Sequence, residues 1–177
     1  MTKRILMIIA PNQFRDEELI EPRNAFLNEG WQVDLASTQT GISTGMLGAK
    51  EPVEKTLDDI NASSYDAAVV VGGMGSPEFL WNNTQLHDIL KTVSARDKVV
   101  SAICLSGAVL ANAGLLDGKS ATVWPDENAI RLLKEGGANY SETSCIQDGN
   151  IITANGPEAA TAFGQAIVSR VKALTPA

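Results

Sequence analysis

The 177-residue chain has the composition of an ordinary globular protein, with 44% hydrophobic and 20% charged residues, and it is long enough to bury a full core without cross-links. Its 21 acidic residues outnumber its 14 basic ones and give a formal net charge of −7 at pH 7. An acidic surface repels phosphate backbones and anionic lipids, so binding to nucleic acid or to a membrane is not expected.

The first part of the chain predicts strands that alternate with a helix. Residues 5–10 form a continuous apolar run, which is typical of a strand buried on both faces. A helical pattern follows from Asp16 and stops at Gly30. Residues 31–36 alternate and predict a second strand, whereas the Gly-, Ser- and Thr-rich residues 37–55 predict a loop with short extended pieces or a β-ribbon.

The rest of the chain continues this alternation. Buried strands are predicted at residues 67–71 and 99–103, and a hairpin with its turn at residues 148–149 leads into a last strand at residues 151–153. Strands that alternate with helices imply a mostly parallel sheet covered on both faces. The sequence therefore predicts an α/β fold in a single domain over residues 1–177.

Helices are predicted between these strands and at the end of the chain. Ser76 is expected to cap one helix, with Pro77 at its first position. A helix of small residues, 107–111, directly follows the strand at residues 99–103, and Pro125 is expected to open a further helix.

Sheets of this kind place their sites at the carboxyl ends of the strands. That rule selects residues 14–18, 72–75 and 104–107. Cys104 stands between a strand and a helix, as the nucleophile does in a strand-to-helix elbow. A thiol in this position faces unpaired N–H groups and the positive end of the helix dipole, so we expect a lowered pKa and a reactive thiol rather than a core residue.

Backbone amides near Cys104 are candidates for stabilising negative charge during a reaction at the thiol. Glycine at positions 72 and 73 lets the backbone approach a ligand closely. The N–H groups of Gly73 and Leu105 could then form an oxyanion hole. The alternative is that the two glycines only make the turn.

The acidic run at residues 15–18 contains a candidate proton carrier. Most of the run is expected to be a solvated charge cluster at the start of the first helix. One carboxyl could nevertheless lie above the first strand and reach the thiol. The spacing alone does not choose between Glu17 and Glu18.

The two cysteines could form one disulfide, but no secretory signal is predicted, so we expect a reducing compartment and free thiols. The apolar run near the N-terminus is too short for a signal peptide or a membrane span, so we expect a cytoplasmic protein in which Cys104 is free and Cys145 is a structural or incidental thiol. One histidine and two distant cysteines make no zinc pattern. The glycines at residues 41–48 do not follow a nucleotide fingerprint, so no metal and no cofactor are predicted.

Several segments match one known family in order along nearly the whole chain. They are residues 17–22, 65–73, 102–107, 113–125 and 148–157. With these segments the chain resembles the PfpI/ThiJ superfamily, whose members share the elbow of class I glutamine amidotransferases. The resemblance implies a flavodoxin-like three-layer sandwich with a mostly parallel central sheet, a reactive cysteine, and a homodimer or higher homo-oligomer.

The resemblance also assigns the carboxyl. In that superfamily a glutamate four residues before the proline of the first helix contacts the cysteine, and here this residue is Glu18, ahead of Pro22. An ionised Glu18 would repel a thiolate at Cys104. The two groups are therefore expected to share one proton and to titrate as a unit.

The chain departs from the superfamily at the positions of its histidines. Leu105 follows the cysteine where many members carry histidine, and Trp124 replaces the histidine of another branch. Trp124 is expected to line the pocket and make it more apolar, with simple packing against the C-terminal helix as the equal alternative. The only histidine, His87, is expected on an exposed helix surface, so a cysteine peptidase would lack its base unless a neighbouring subunit supplied it.

The sequence therefore predicts a cysteine-dependent protein that acts on a small-molecule electrophile. The resemblance favours small reactive carbonyls, with glyoxalase, deglycase or hydrolase chemistry at Cys104 and Glu18. Two alternatives stay open: a redox-sensing or stress-response protein that works through oxidation of Cys104 to sulfinate, and an intracellular cysteine peptidase.

Overall fold

The computed structural model describes residues 2–174 and contains the predicted alternation of strands and helices. The strands are β1 (Arg4–Ile8), β2 (Asn12–Phe14), β3 (Gln32–Ser37), β4 (Gly41–Gly45), β5 (Lys50–Val53), β6 (Lys55–Thr56), β7 (Ala67–Val70), β8 (Val99–Ile103), β9 (Ser120–Ala121), β10 (Asn139–Tyr140), β11 (Cys145–Asp148) and β12 (Ile151–Ala154). The helices are α1 (Asp16–Asn28), α2 (Ser76–Phe79), α3 (Thr84–Ala95), α4 (Gly107–Asn112), α5 (Glu127–Glu135) and α6 (Ala160–Ala173). Short 3₁₀ helices occur at Leu57–Asp59, Ala62–Ser64, Cys104–Ser106 and Pro157–Ala159.

The central sheet has seven strands in the order β11-β12-β8-β7-β1-β3-β6. Its neighbouring strands run parallel except for β11, which pairs antiparallel with β12. Every residue of β7 and β8 is buried, so both faces of the sheet are covered. The predicted α/β fold with a mostly parallel central sheet is thereby confirmed.

The helices cover the sheet in packed groups, with α1 against α6 and with α4 against α3 and α5. Gly164 permits the close approach of α6 to α1, because a Cβ at this position would lie 2.9 Å from the Cα of Pro22. Fully buried side chains such as Phe26 and Phe163 fill the space beneath. Each such burial contributes about 1.5 to 3 kcal/mol to folding. This packing fixes α1, the helix whose first turn enters the site.

A small second sheet covers one side of the site. β4 and β5 form an antiparallel hairpin and β2 pairs parallel with β4, so the β-ribbon interpretation of residues 37–55 is confirmed. The carboxylate of Asp16 is buried and accepts hydrogen bonds from the amides of Leu47 and Ala49, at 2.9 and 2.8 Å. These bonds hold the hairpin turn, and with it Met46, against the start of α1.

Two predicted helix starts are wrong by one or two residues. Gly75, not Ser76, is the N-cap of α2, and Ser76 is the first helical residue with a fully buried side chain. Pro125 lies before α5, which is capped by the side chain of Asp126 accepting from the amide of Ala129 at 2.9 Å. The start of α5 coincides with the Asp126 side-chain cap, whereas α2 begins without a side-chain cap and has Pro77 in its first turn.

Within residues 2–174, no helix combines the length and the apolar character that a membrane crossing requires.

Candidate active site

The predicted elbow lies where β8 meets α4. Cys104 follows β8 directly, begins the 3₁₀ turn Cys104–Ser106 and has a φ of +60°. Residues other than glycine seldom adopt this left-handed backbone conformation. It costs about 1 to 3 kcal/mol and persists only when the surrounding structure enforces it. The tight turn directs the thiol away from the sheet and leaves it 7% exposed.

Buried hydroxyl groups hold the elbow against the end of the neighbouring strand. The hydroxyl of Ser106 donates to the carbonyl oxygen of Val71 at 2.7 Å and lies 2.7 Å from the hydroxyl of Ser76. Because Ser106 donates to the carbonyl, Ser76 is left to donate to Ser106. Both serines are fully buried, which explains why Ser76 is drawn into the fold instead of capping α2.

Glu18 lies in the first turn of α1 and is fully buried beside Cys104. A Cβ at position 72 would come within 2.5 Å of Glu18 Oε1 and 2.6 Å of Cys104 Cβ, so only glycine leaves room for the two side chains to approach. Neither carboxyl oxygen meets strict hydrogen-bond geometry with a partner among residues 2–174. Burial raises the pKa of Glu18 to about 8, although the Cys104 thiol and the Arg15 charge act in the opposite direction.

The expected lowering of the Cys104 pKa is wrong. Burial raises the pKa of the thiol to about 12, and the charge of Glu18 adds to the rise. The amides of Leu105 and Gly73 lower it, but removal of the sulfur from water outweighs them. Below the pKa of Glu18 both groups hold their protons, and above it the pair carries one negative charge.

The thiol opens into a cavity of about 110 Å³. The residues that line it are Arg15, Met46, Gly73, Met74, Cys104, Leu105, Trp124 and Pro157. Except for the guanidinium of Arg15 and the thiol, these residues present apolar groups and backbone. The cavity is well below the roughly 300 to 1,000 Å³ of sites for drug-sized ligands, so its size favours a molecule of a few heavy atoms.

The structure brings most of the predicted site residues together. Cys104, Leu105, Gly73 and Trp124 line the cavity, and Glu18 lies behind the thiol. Gly73 has a φ of +117°, and a Cβ there would lie 2.5 Å from the Arg15 amide nitrogen, so glycine is required for this turn as well.

Trp124 lies at the rim of the cavity and is 44% exposed. Its amide donates to the carbonyl oxygen of Cys104 at 3.2 Å. Its ring lies over Gly156, where a Cβ would come within 2.8 Å of the ring carbons. Trp124 therefore lines the cavity and packs on the segment that precedes α6, and its packing against the C-terminal helix itself stays a prediction.

The prediction of an exposed His87 is wrong. The imidazole is only 8% exposed, and its Nε2 atom lies 2.9 Å from the carbonyl oxygen of Trp81. The same carbonyl accepts from the side-chain amide of Asn112 at 2.9 Å, and the indole Nε1 of Trp81 donates to Leu105 O at 2.8 Å. The only histidine thus connects to the elbow through Trp81 and does not line the cavity.

The expectation of a mostly solvated acidic run is also wrong, since Asp16 and Glu18 are both buried. Sequence reasoning missed the cavity roles of Arg15, Met46 and Met74. Arg15 carried a usable signal, because it belongs to a run selected at the end of a strand. Met74 carried the same signal, because it belongs to the run at residues 72–75. Met46 comes from a stretch without periodicity, and only the fold places it at the thiol.

Cys145 is remote from this chemistry. It begins the edge strand β11, is half-buried and is free, as is Cys104. Burial raises the pKa of its thiol. Among residues 2–174 no group of three or more His, Cys, Asp or Glu side chains is arranged to hold a metal ion.

Comparison with known proteins places this geometry in a family. A ThiJ/PfpI domain protein from Brachyspira murdochii has a solved structure with a TM-score of 0.93 and 29% identity, covering 98% of this chain and 99% of that one. An uncharacterized protein of Methanocaldococcus jannaschii is 50% identical over 169 residues, or 96% of this chain and 82% of that protein. A Pyrococcus horikoshii protein named deglycase is 29% identical over 167 residues, or 94% and 99% of the two chains.

The family model that matches the chain covers residues 3–170, which include both the elbow at Cys104 and the helix turn that carries Glu18. On this evidence the chain belongs to the DJ-1/PfpI family.

Proposed function

We propose that this protein transforms small reactive carbonyl compounds, 2-oxoaldehydes first among them, with Cys104 as nucleophile and Glu18 as proton carrier. One observation carries the proposal: a fully buried carboxyl lies beside a thiol that opens into a cavity sized for a few heavy atoms. The name of the Pyrococcus horikoshii relative supports this class of chemistry.

The reaction begins with attack of the Cys104 sulfur on the aldehyde carbon. The thiol proton passes through Glu18 to the carbonyl oxygen, and a hemithioacetal forms. The amides of Gly73 and Leu105, which already lie near the sulfur, would stabilise the oxyanion that develops during the attack.

Glu18 then moves a proton from the first carbon to the second through an enediol, which oxidises the first carbon to a thioester and reduces the neighbouring ketone to an alcohol. Water hydrolyses the thioester, releases a 2-hydroxy acid and restores the thiol. The sum is one 2-oxoaldehyde plus one water giving one 2-hydroxy acid, so no external oxidant or reductant is needed.

The pKa of Glu18 suits this role. A proton carrier works best when its pKa lies near the operating pH, because both of its forms are then accessible. Burial raises the pKa of Glu18 to about 8, close to neutrality. An exposed glutamate would be almost fully ionised and would return the proton poorly.

The test is conversion of methylglyoxal to lactate by the purified protein, followed by NMR. The wild type is expected to form lactate, Cys104→Ser and Glu18→Gln are expected to lose the activity, and Cys145→Ser is expected to keep it. Absence of lactate with the wild-type protein, or full activity of Cys104→Ser, would contradict the proposal.

A redox role is the second candidate, because the same amides and a protonated Glu18 could hold the oxygens of a sulfinate at Cys104. The raised pKa of the thiol opposes rapid oxidation, since the thiolate is the reactive form. Mild peroxide followed by mass spectrometry decides this: sulfinate at Cys104 before any change at Cys145 supports the role, and the reverse order removes it.

A peptidase is less well supported by the geometry. His87 is engaged with Trp81 and does not line the cavity, so this chain does not by itself supply a Cys–His pair. The homo-oligomeric state and the cytoplasmic location inferred from the sequence remain predictions.

A further inference from the structure

Arg15 is the only charged side chain that lines the cavity within residues 2–174. The thioethers of Met46 and Met74, the ring of Trp124 and Pro157 surround it with apolar surface. The Arg15 side chain is partly exposed and paired with Glu17, so it keeps its charge beside these apolar groups.

The backbone of Arg15 is fixed beside the thiol. Its amide donates to the carbonyl oxygen of Gly72 at 2.9 Å, which ties the residue before α1 to the end of β7. Gly73 lies so close that a Cβ there would come within 2.5 Å of the same amide nitrogen. The side chain therefore starts from a point that the sheet itself positions.

The guanidinium is oriented but not saturated. Its Nε donates to Glu17 Oε2 at 2.9 Å, and the two side chains are 28% and 31% exposed. Among residues 2–174 no partner accepts from Nη1 or Nη2. These two nitrogens form the end of the guanidinium fork, the edge that binds a planar carboxylate with two parallel hydrogen bonds.

The negative charge of the whole molecule makes Arg15 important for the binding of anions in the cavity. The net charge of −7 repels negative ligands from the surface. Glu17 offsets part of the Arg15 charge, but it engages only Nε. A carboxylate can enter the cavity favourably only where a cation with free donors receives it.

We propose that Nη1 and Nη2 of Arg15 bind a carboxylate on the substrate, so that the preferred substrates are reactive carbonyl compounds with a carboxylate a few bonds from the carbonyl that Cys104 attacks. This inference rests on the proposed function in one respect, because only turnover would make the bound anion a substrate. The selectivity of the cavity for anionic electrophiles does not depend on turnover. The small volume favours a carboxylate over a bulkier phosphate.

The test compares two alkylating reagents of nearly equal size, iodoacetate and iodoacetamide, of which only the first carries a carboxylate. Their rates at Cys104 are measured by mass spectrometry in a Cys145→Ser background, below the Glu18 pKa of about 8. Arg15→Gln is expected to lower the ratio of iodoacetate rate to iodoacetamide rate by about fivefold or more, the size of one charge-assisted contact.

The ratio removes the main confounding effect. The charge of Arg15 also lowers the pKa of Glu18, so its loss changes the reactivity of the thiol, but it changes the rates of both reagents alike. Arg15→Lys, which keeps the charge and loses the fork, is expected to give an intermediate ratio. Arg131→Gln makes the same charge change at an exposed pair with Glu135 and is expected to leave the ratio unchanged.

An unchanged ratio in Arg15→Gln overturns the inference, as does an equal fall in Arg131→Gln, which would assign the effect to net charge. A turnover arm then addresses substrates: the ratio of kcat/KM for 4,5-dioxovalerate, a 2-oxoaldehyde with a carboxylate, to kcat/KM for methylglyoxal is expected to fall in Arg15→Gln. If the wild type forms no 2-hydroxy acid but the alkylation ratio still shifts, the proposed function fails and the anion selectivity stands.

Discussion

The indole nitrogen of Trp81 donates a 2.8 Å hydrogen bond to the carbonyl oxygen of Leu105, the residue that follows the nucleophile. The carbonyl of Trp81 is itself held by Asn112 and lies 2.9 Å from the imidazole of His87. The tryptophan is thus anchored through its backbone and uses its side chain to fix the elbow. The amide of Leu105 is a candidate oxyanion donor. We therefore expect this bond to affect the reaction by positioning that amide.

We expect Trp81→Phe to slow alkylation of Cys104 several-fold. The variant keeps an aromatic ring but removes the indole donor to Leu105 O, so the turn at Cys104 loses a restraint on its strained φ of +60°. The free energy of unfolding should fall by about 1 kcal/mol for the lost hydrogen bond, with more if packing changes. Quenched alkylation followed by mass spectrometry measures the rate at Cys104, and chemical denaturation measures the free energy of unfolding.

Trp31→Phe is the matched control, because Trp31 is also largely buried and stacks on Phe26, away from the cavity. It should lose stability without a change in Cys104 reactivity. A Trp81→Phe protein with wild-type alkylation kinetics would show that the bond has no positioning role.

The reactivity of Cys104 should rise with pH in a step set by Glu18. Below a pH of about 8 both groups of the pair are protonated, and above it they share one negative charge, part of which resides on sulfur. We expect the iodoacetamide rate of the wild type to increase through this range. In Glu18→Gln that step should be absent, and the thiol pKa should fall below about 12 because one of the charges that raise it is gone. An identical pH profile in the two proteins would refute the coupling.

The stability of the protein should fall as the pH rises through the Glu18 window. The pKa of Glu18 is raised from 4.5 to about 8 by burial, so between these values the folded state binds more protons than the unfolded state. The contribution is fully present below pH 4.5 and is lost above about 8. It amounts to about 3 to 5 kcal/mol at most.

Urea denaturation across this range measures the effect. The free energy of unfolding of the wild type, taken relative to that of Glu18→Gln, should decrease with rising pH. Glu54→Gln removes a carboxyl from an exposed position and should leave the wild-type slope in place. A wild type and Glu18→Gln with parallel pH profiles would mean that the carboxyl is not perturbed by folding.

Gly72→Ala should destabilise the fold and separate the catalytic pair. The added methyl group would meet Glu18 Oε1, the carbonyl oxygen of Ile103 and Cys104 Cβ at 2.5 to 2.6 Å, and two of these atoms are anchored by β8 and its turn. We expect a loss of about 2 to 4 kcal/mol, as for other overpacked cores, with a change in the pH profile of Cys104 alkylation.

Gly48→Ala provides the comparison, since Gly48 has a φ of +99° and open space around it. It should show the cost of backbone strain alone, about 1 kcal/mol, and leave the thiol unchanged. Equal effects of the two substitutions on Cys104 would argue against close packing at Gly72.

The sequence by itself determined the parts of this protein that depend on local patterns. Continuous apolar runs at β1, β7 and β8 predict strands buried on both faces, and their alternation with helices implies the parallel sheet. The position of Cys104 at the end of β8 follows from the same logic, because the carboxyl ends of parallel strands meet at one edge. Glu18 was named only through the resemblance to a family, since spacing did not separate it from Glu17.

The tertiary structure decided what depends on burial and on neighbours far away in the chain. Helix-start geometry argued for a lowered thiol pKa, but the packing of Glu18 and Gly72 around Cys104 desolvates the sulfur and raises it. His87 has a polar sequence neighbourhood, yet its side chain is drawn inside by the carbonyl of Trp81. Arg15 could be placed at a strand end from the sequence, but only the structure shows that Glu17 engages its Nε and that Nη1 and Nη2 have no acceptor among residues 2–174. Desolvation and contacts between residues far apart in the chain leave no periodic trace in a sequence.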